Sequence, residues 1–294
     1  MQRALIVTPL AIAVFLSVRC TIAAAQNDPR GATQNAKPAA HGCKPIPPRS
    51  AGVLGNIGEL LAAGTPLNGA QFTAHPAQQI CKLPGGQIYY EVGALNVDDD
   101  GSSAGSPPNW EAHPVRGGKI DTSHQNQTSY GGMLPNVPGE SDPISAFNEP
   151  YIVLPGVHSR WFKEQGLHVG DGAVVIKDDQ KIVAVFADVG PDKNIGEMSI
   201  KGHELFGFET FKPGLRARRD VNGQPMRDPS TQKLLTEPAI VTVNRAQTGP
   251  FVVIVFPGTS AGRQFVNVKT SLEPKINSAF TGLATAPAPS GPSK

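Results

Sequence analysis

The sequence predicts a mainly β, single-domain fold with few short helices, closed as a β-barrel-like structure or, as the alternative, stacked as a β-sandwich. Three observations carry this prediction. Gly and Pro are frequent, at 32 and 28 of 294 residues, which favours turns over long helices. Beyond Cys81 the apolar runs are short and rich in Val, Ile, Tyr and Phe. Only one segment carries clear helical periodicity. With 39% hydrophobic residues the chain can bury a real core.

The elements follow in order. Residues 1–25 read as a secretory signal peptide: Arg3 supplies the positive start, 4–18 are mostly apolar, and Ala23-Ala24-Ala25 offer a small-residue cleavage site before Gln26. Interrupted by Pro9 and closed by Arg19, the run spans a bilayer poorly, and no other stretch approaches a membrane span. Residues 26–50, rich in Ala, Pro, Asn and Gly, read as a flexible linker. A helix is expected over 53–63, with Leu54, Ile57, Leu60 and Leu61 at helical spacing and Gly64 and Pro66 ending it.

Strands are expected at 87–94 and at 151–154, the latter stopped by Pro155-Gly156. Runs 173–176 and 182–186, joined by the polar 177–181, predict a hairpin. Runs 240–243 and 251–256 predict a second pair, and 265–268 a last strand. The polar stretch 216–237 reads as a long surface loop. Residues 281–294, of Ala, Pro, Ser and Gly, read as a disordered tail, leaving 51–280 as the folded domain.

Cysteine usage agrees with export. Cys20 leaves with the signal, and Cys43 and Cys81 remain as a pair able to form one disulfide. Without Arg3 and Arg19 the chain is neutral overall, yet residues 86–204 hold 17 acidic against 8 basic side chains. A nucleic-acid partner is therefore not expected, because the segment richest in chemistry is negative. An acidic surface suits a cationic ligand.

The most informative stretch is 182–200, IVAVFADVGPDKNIGEMSI. An apolar strand runs out at Ala187, Asp188 stands before the Gly190-Pro191 turn, and the chain returns through Ile195-Gly196 to Glu197. Strand–loop–strand geometry can bring two carboxylates to opposite walls of one cleft, as glycoside hydrolysis requires. Gly190 and Gly196 would let backbone approach a bulky substrate.

This stretch resembles the core pattern of the family 75 glycoside hydrolases, the chitosanases. The likeness rests on Lys181, Val183-Ala184-Val185, Asp188, Ile195-Gly196-Glu197 and Ser199. It extends upstream to 150–155 and downstream to 251–258, covering roughly 88–258. The resemblance implies endo cleavage of β-1,4-linked glucosamine in chitosan by an inverting mechanism. It makes Asp188 and Glu197 the catalytic pair, with Glu197 as general acid and Asp188 as general base; order in the chain does not fix which is which. The run Asn96-Val97-Asp98-Asp99-Asp100-Gly101 resembles the family's Asp-rich run, but Asp99 stands where the family has Cys, so the family's disulfide there is in doubt. Asp98, Asp100 and Asp121 are expected to face the substrate's ammonium groups, and Thr128, Tyr130 and Ser199 to shape the cleft.

The acidic run also suggests a calcium loop, but no Glu closes it at the twelfth position, and an acidic turn ended by Gly is the expectation instead. No metal and no cofactor are expected. Two GxSxG matches, at 101–105 and 258–262, lack the strand-to-helix setting of a serine esterase. The seven His are scattered without HExxH, and His203-Glu204 lacks a partner at metal spacing. Trp110 and Trp161 could stack on sugars or lie in the core. With this resemblance, the sequence is expected to encode a secreted (extracellular or periplasmic), monomeric protein, and the resemblance implies that it is an endo-chitosanase. The alternative is a non-catalytic polysaccharide-binding or cell-envelope protein on the same fold.

Overall fold

The computed structural model describes residues 43, 51–67, 77–130, 144–155, 163–190, 194–243, 245–262 and 265–286. The expected signal peptide, Trp161, most of the expected linker and residues 287–294 lie outside them. The described residues fall within one compact unit, 40–294. None of their helices is long and apolar enough to cross a membrane.

The fold is mainly β, built on a closed six-stranded barrel. Around the barrel run β3 (Ile88–Asp98), β12 (Gln247–Phe256), β7 (Gly172–Lys177), β8 (Gln180–Gly190), β6 (Tyr151–Pro155) and β9 (Glu197–Ser199), and β9 returns to β3. Pairing is antiparallel except for β6–β8 and β3–β9. Closure leaves these strands without an open edge. β1 (Thr65–Pro66) and β2 (Ala77–Lys82) extend the sheet from the first half of β3. Two hairpins stand apart: β4 (Val115–Arg116) with β5 (Lys119–Ile120), and β10 (Phe211–Ala217) with β11 (Thr236–Thr242).

Alternation along the strands divides the apolar side chains between two faces. Ile88, Tyr90, Val92, Ile152, Leu154, Val175, Ala184, Phe186, Met198, Val253 and Val255 fill the barrel. Tyr89, Val153, Val174, Val185, Val252 and Ile254 point outward, into a second cluster shared with α1 (Ala51–Leu54), α2 (Ile57–Ala62), α4 (Val268–Ser271) and α5 (Glu273–Thr285). Each such side chain contributes about 1.5–3 kcal/mol by leaving water. The last helix, α3 (Ile200–Leu205), follows β9 directly.

The expected hairpin 173–186 forms as β7–β8, with Asp178 at φ 54 in its tight turn. Several expectations need correction. Residues 240–243 do not pair with β12; they belong to β11, whose partner β10 begins near 211, while β12 fits between β3 and β7. Non-local pairing wins because β12 is apolar on both faces and must be buried on both. Residues 265–268 are not a strand: Asn267 caps α4 by accepting from the Thr270 backbone N–H at 2.8 Å.

The expected tail begins too early, because α5 runs to Thr285 with Ile276, Phe280 and Leu283 buried on one face. The helix expected over 53–63 is broken at Gly55 (φ 51), where the Asn56 N–H turns to the Ala284 carbonyl at 2.8 Å. Cys43, placed in the flexible linker, is buried, bonded to Cys81 on β2, and donates its N–H to the Leu61 carbonyl.

Candidate functional site

Asp188 and Glu197 meet through a strand that lies between them. In the β6–β8 ladder Val153 stands opposite Asp188; in the β6–β9 ladder the same Val153 stands opposite Glu197. Directly paired residues share a face of the sheet. Both carboxylates therefore flank Val153 on the outer face, and the backbones that carry them are two strand spacings apart, about 9.5 Å.

A β-bulge makes this possible. Ile152 pairs with Phe186 but Val153 pairs with Asp188, so Ala187 is an extra residue on β8. Strict alternation after Phe186 would turn residue 188 into the apolar barrel. The bulge turns it outward instead. On the other side Met198 points inward, which leaves Glu197 and Ser199 outward. In β3, Asn96 stands opposite Glu197 and Asp98 opposite Ser199, so Asp98 joins the same face.

One oxygen of Asp188, Oδ1, accepts from the Ser129 backbone N–H at 2.7 Å and from its hydroxyl at 2.8 Å. The Val189 N–H donates in turn to Ser129 Oγ. Asp98 Oδ1 accepts from the Asp100 N–H at 2.8 Å, and Asp100 Oδ1 from the Gln125 N–H at 2.6 Å. Carboxylate oxygens of Asp98, Asp100 and Asp188 lie within 4.8 Å of one another. Among the described residues no Lys or Arg is ion-paired with these three or with Asp99. Burial pushes the Asp98 carboxyl well above the usual range, with the charges of Asp100, Asp188 and Glu197 adding to it. Burial likewise raises Asp100, to about 7, against the Gln125 hydrogen bond.

Glu197 lies over Gly190. A Cβ there would stand 3.0 Å from Glu197 Oε2 and 2.9 Å from a methyl of Val153. Gly190 thus makes room for a side chain of the protein itself, a different role from the substrate approach expected of it. Gly196, at φ 94, provides the left-handed backbone that turns the chain into β9.

The other expected site residues divide. Asp98 and Asp100 are beside Asp188. Asp121 is held in the β4–β5 hairpin by Arg116 at 3.0 Å and by Ser123, and its carboxyl is lowered by the Ser123 hydrogen bonds against burial. It makes no contact with the carboxylate group. Three residues expected to shape the cleft are buried instead. Ser199 is fully buried: its hydroxyl caps α3 through the Gly202 N–H, accepts from the Tyr151 N–H and donates to the Glu149 carbonyl. Tyr130 packs edge-on to Phe265 and donates to the Gly262 carbonyl. Thr128 is 2% exposed. Each is a packing residue, because its polar group or its surface faces the interior.

Within the stretch Thr128-Ser129-Tyr130, expected to shape the cleft, Ser129 is the residue that touches Asp188. One residue not singled out from the sequence also matters here. His124 is 6% exposed, and its ring sits against Asp99 and Asp100. Trp110 packs edge-on against His124 and Phe147 and donates to Thr242 Oγ1, which gives its ring a packing role. Residues 131–143, 156–162 and 191–193, which follow Tyr130, Pro155 and Gly190, lie outside the described residues.

No protein family matches the chain, and no curated protein matches it.

Proposed function

We propose that this protein is a secreted endo-chitosanase that hydrolyses β-1,4-glucosaminide linkages by an inverting, two-carboxylate mechanism. The observation that carries the reading is the shared register partner: Asp188 and Glu197 flank Val153 on one face. Their backbones stand two strand spacings apart, about 9.5 Å, and side chains rising from one face at that spacing can leave the roughly 6.5–9.5 Å between carboxyls that an inverting hydrolase needs for a sugar and a water.

In this reading Glu197 gives a proton to the glycosidic oxygen as the bond to the anomeric carbon breaks. Asp188 takes a proton from the water that attacks that carbon from the opposite face. Ser129 holds Asp188 Oδ1 with two donors, which fixes the plane of the carboxylate for that transfer. Free glucosamine has no N-acetyl group to assist, so both roles fall to the protein. The acidic segment around the pair, 17 acidic against 8 basic side chains over residues 86–204, favours an approaching polyammonium chain. The disulfide between Cys43 and Cys81 suits an oxidising compartment.

The test is to incubate the purified protein with chitosan, chitin and cellulose and to follow new reducing ends. Chitosan alone should be cut. Asp188→Asn and Glu197→Gln should each lose at least about a hundredfold in kcat, the scale of lost general acid–base catalysis, while still binding chitosan oligomers. Binding without turnover in the parent protein would point to the polysaccharide-binding alternative.

A further inference from the structure

We propose that Asp99, Asp100 and His124 form a site for a divalent transition-metal ion of the zinc class. Their donor atoms, one carboxylate oxygen from each aspartate and Nδ1 of the histidine, lie within 4.8 Å of one another. His124 Nδ1 is buried and makes no hydrogen bond among the described residues. It stands 3.6 Å from Asp99 Oδ1 and 3.8 Å from Asp100 Oδ1, too far for a hydrogen bond and aimed at both. Ligands around a tetrahedral zinc ion, with bonds of 2.0–2.2 Å, are about 3.3–3.6 Å apart. His124 Nδ1 needs to close on each carboxylate by only a few tenths of an ångström.

The surroundings favour an ion. The ring of His124 is fixed by edge contacts from Trp110 at 5.3 Å and His113 at 5.8 Å. The Gln125 N–H fixes Asp100 Oδ1. Among the described residues Asp98, Asp99, Asp100 and Asp188 crowd together without a Lys or Arg partner, and a dication would offset their mutual repulsion. Imidazole with two carboxylates is a donor set for zinc or manganese, whereas calcium takes oxygen donors almost exclusively.

The ion would join two segments far apart in sequence. Asp99 and Asp100 follow β3, and His124 begins the loop that carries Ser129 to Asp188. A metal here acts as a staple beneath that loop. The inference does not depend on the hydrolase reading, because metal uptake is measured without substrate.

The experiment strips the full chain with a chelator, then equilibrates it with zinc, manganese or calcium chloride and measures bound metal by elemental analysis. Zinc should be retained at one equivalent, in preference to calcium. It should raise the thermal midpoint by roughly 5 °C or more at a hundredfold excess over Kd. Asp99→Asn and His124→Ala should each weaken zinc binding at least tenfold. Asp99 is partly exposed, so its variant tests ligation even if His124→Ala disturbs packing. Retention below a tenth of an equivalent, preference for calcium, or unchanged uptake in Asp99→Asn would overturn the proposal.

Discussion

Ser129 donates twice to the same oxygen of Asp188, once from its backbone and once from its hydroxyl. The hydroxyl also receives the N–H of Val189, so the bulged end of β8 and the loop before Tyr130 are locked together at the candidate base. A hydrogen bond to a charged group contributes about 1.5–3 kcal/mol. Ser129→Ala keeps the backbone donor and removes the other. On chitosan it should lower kcat roughly tenfold and leave KM within about twofold, because the residue orients Asp188 without touching substrate. An unchanged kcat would mean that the hydroxyl does not position Asp188.

Gly190→Ala should act on the other carboxylate. The added methyl meets Glu197 Oε2 at 3.0 Å and Val153 at 2.9 Å, so one of them must move. Val153 is buried and fixed in two ladders, which leaves Glu197 to give way. Activity should fall about tenfold or more, with a stability loss of roughly 1–3 kcal/mol as in other overpacked sites. Denaturant unfolding and the reducing-end assay separate the two effects.

Removing the disulfide should lower stability and leave the catalytic geometry alone. Cys43 and Cys81 are 38 residues apart, and closing such a loop stabilises by about 4 kcal/mol in the chain-entropy account. Cys43→Ser combined with Cys81→Ser should lower Tm by about 10 °C. Neither cysteine lies on β6, β8 or β9, so activity at about 20 °C should persist.

His203 gives the fold a sensitivity to acid. Burial holds its imidazole below the usual histidine value, against hydrogen bonding to the Ser199 and Leu95 carbonyls. The unfolded chain therefore takes up the proton first, near pH 6.5. Stability from this residue is complete above that pH and is lost as pH falls through it. Denaturant midpoints measured at about pH 7.5 and 5.5 should drop less for His203→Gln than for the parent protein. An equal drop would place the acid sensitivity elsewhere.

That Asp188 and Glu197 come to one face could be expected from the sequence because the signal is local. An apolar run ends at Ala187, a Gly-Pro turn follows, and a second short strand begins at Glu197. The β7–β8 hairpin was legible for the same reason. What escaped was long-range. The partner of β11 lies upstream of a long polar loop, and no short-range pattern distinguishes it from β12. The bulge at Ala187 exists only because two parallel strands drift out of step, and β6 is remote from β8 in sequence. His124 meets Asp99 and Asp100 only after the chain folds back, so it looked like one of seven scattered histidines. Helix α5 was missed because Pro274 and Gly282 weaken its pattern, although Ile276, Phe280 and Leu283 mark its buried face. Ser199 misled in the opposite sense: its place beside Glu197 suggested contact with a ligand, while folding uses its hydroxyl to start a helix.

Because Val153 sits between the two acids, the distance between their backbones is a multiple of the peptide hydrogen-bond repeat, which side-chain changes do not alter. The connection from Gly190 to Asn194 carries the chain from one acid to the other without setting the distance between them. Lengthening that connection, or opening it and joining the termini elsewhere, leaves the gauge intact. The surrounding loops can then change while the backbones of Asp188 and Glu197 stay where the barrel wall puts them.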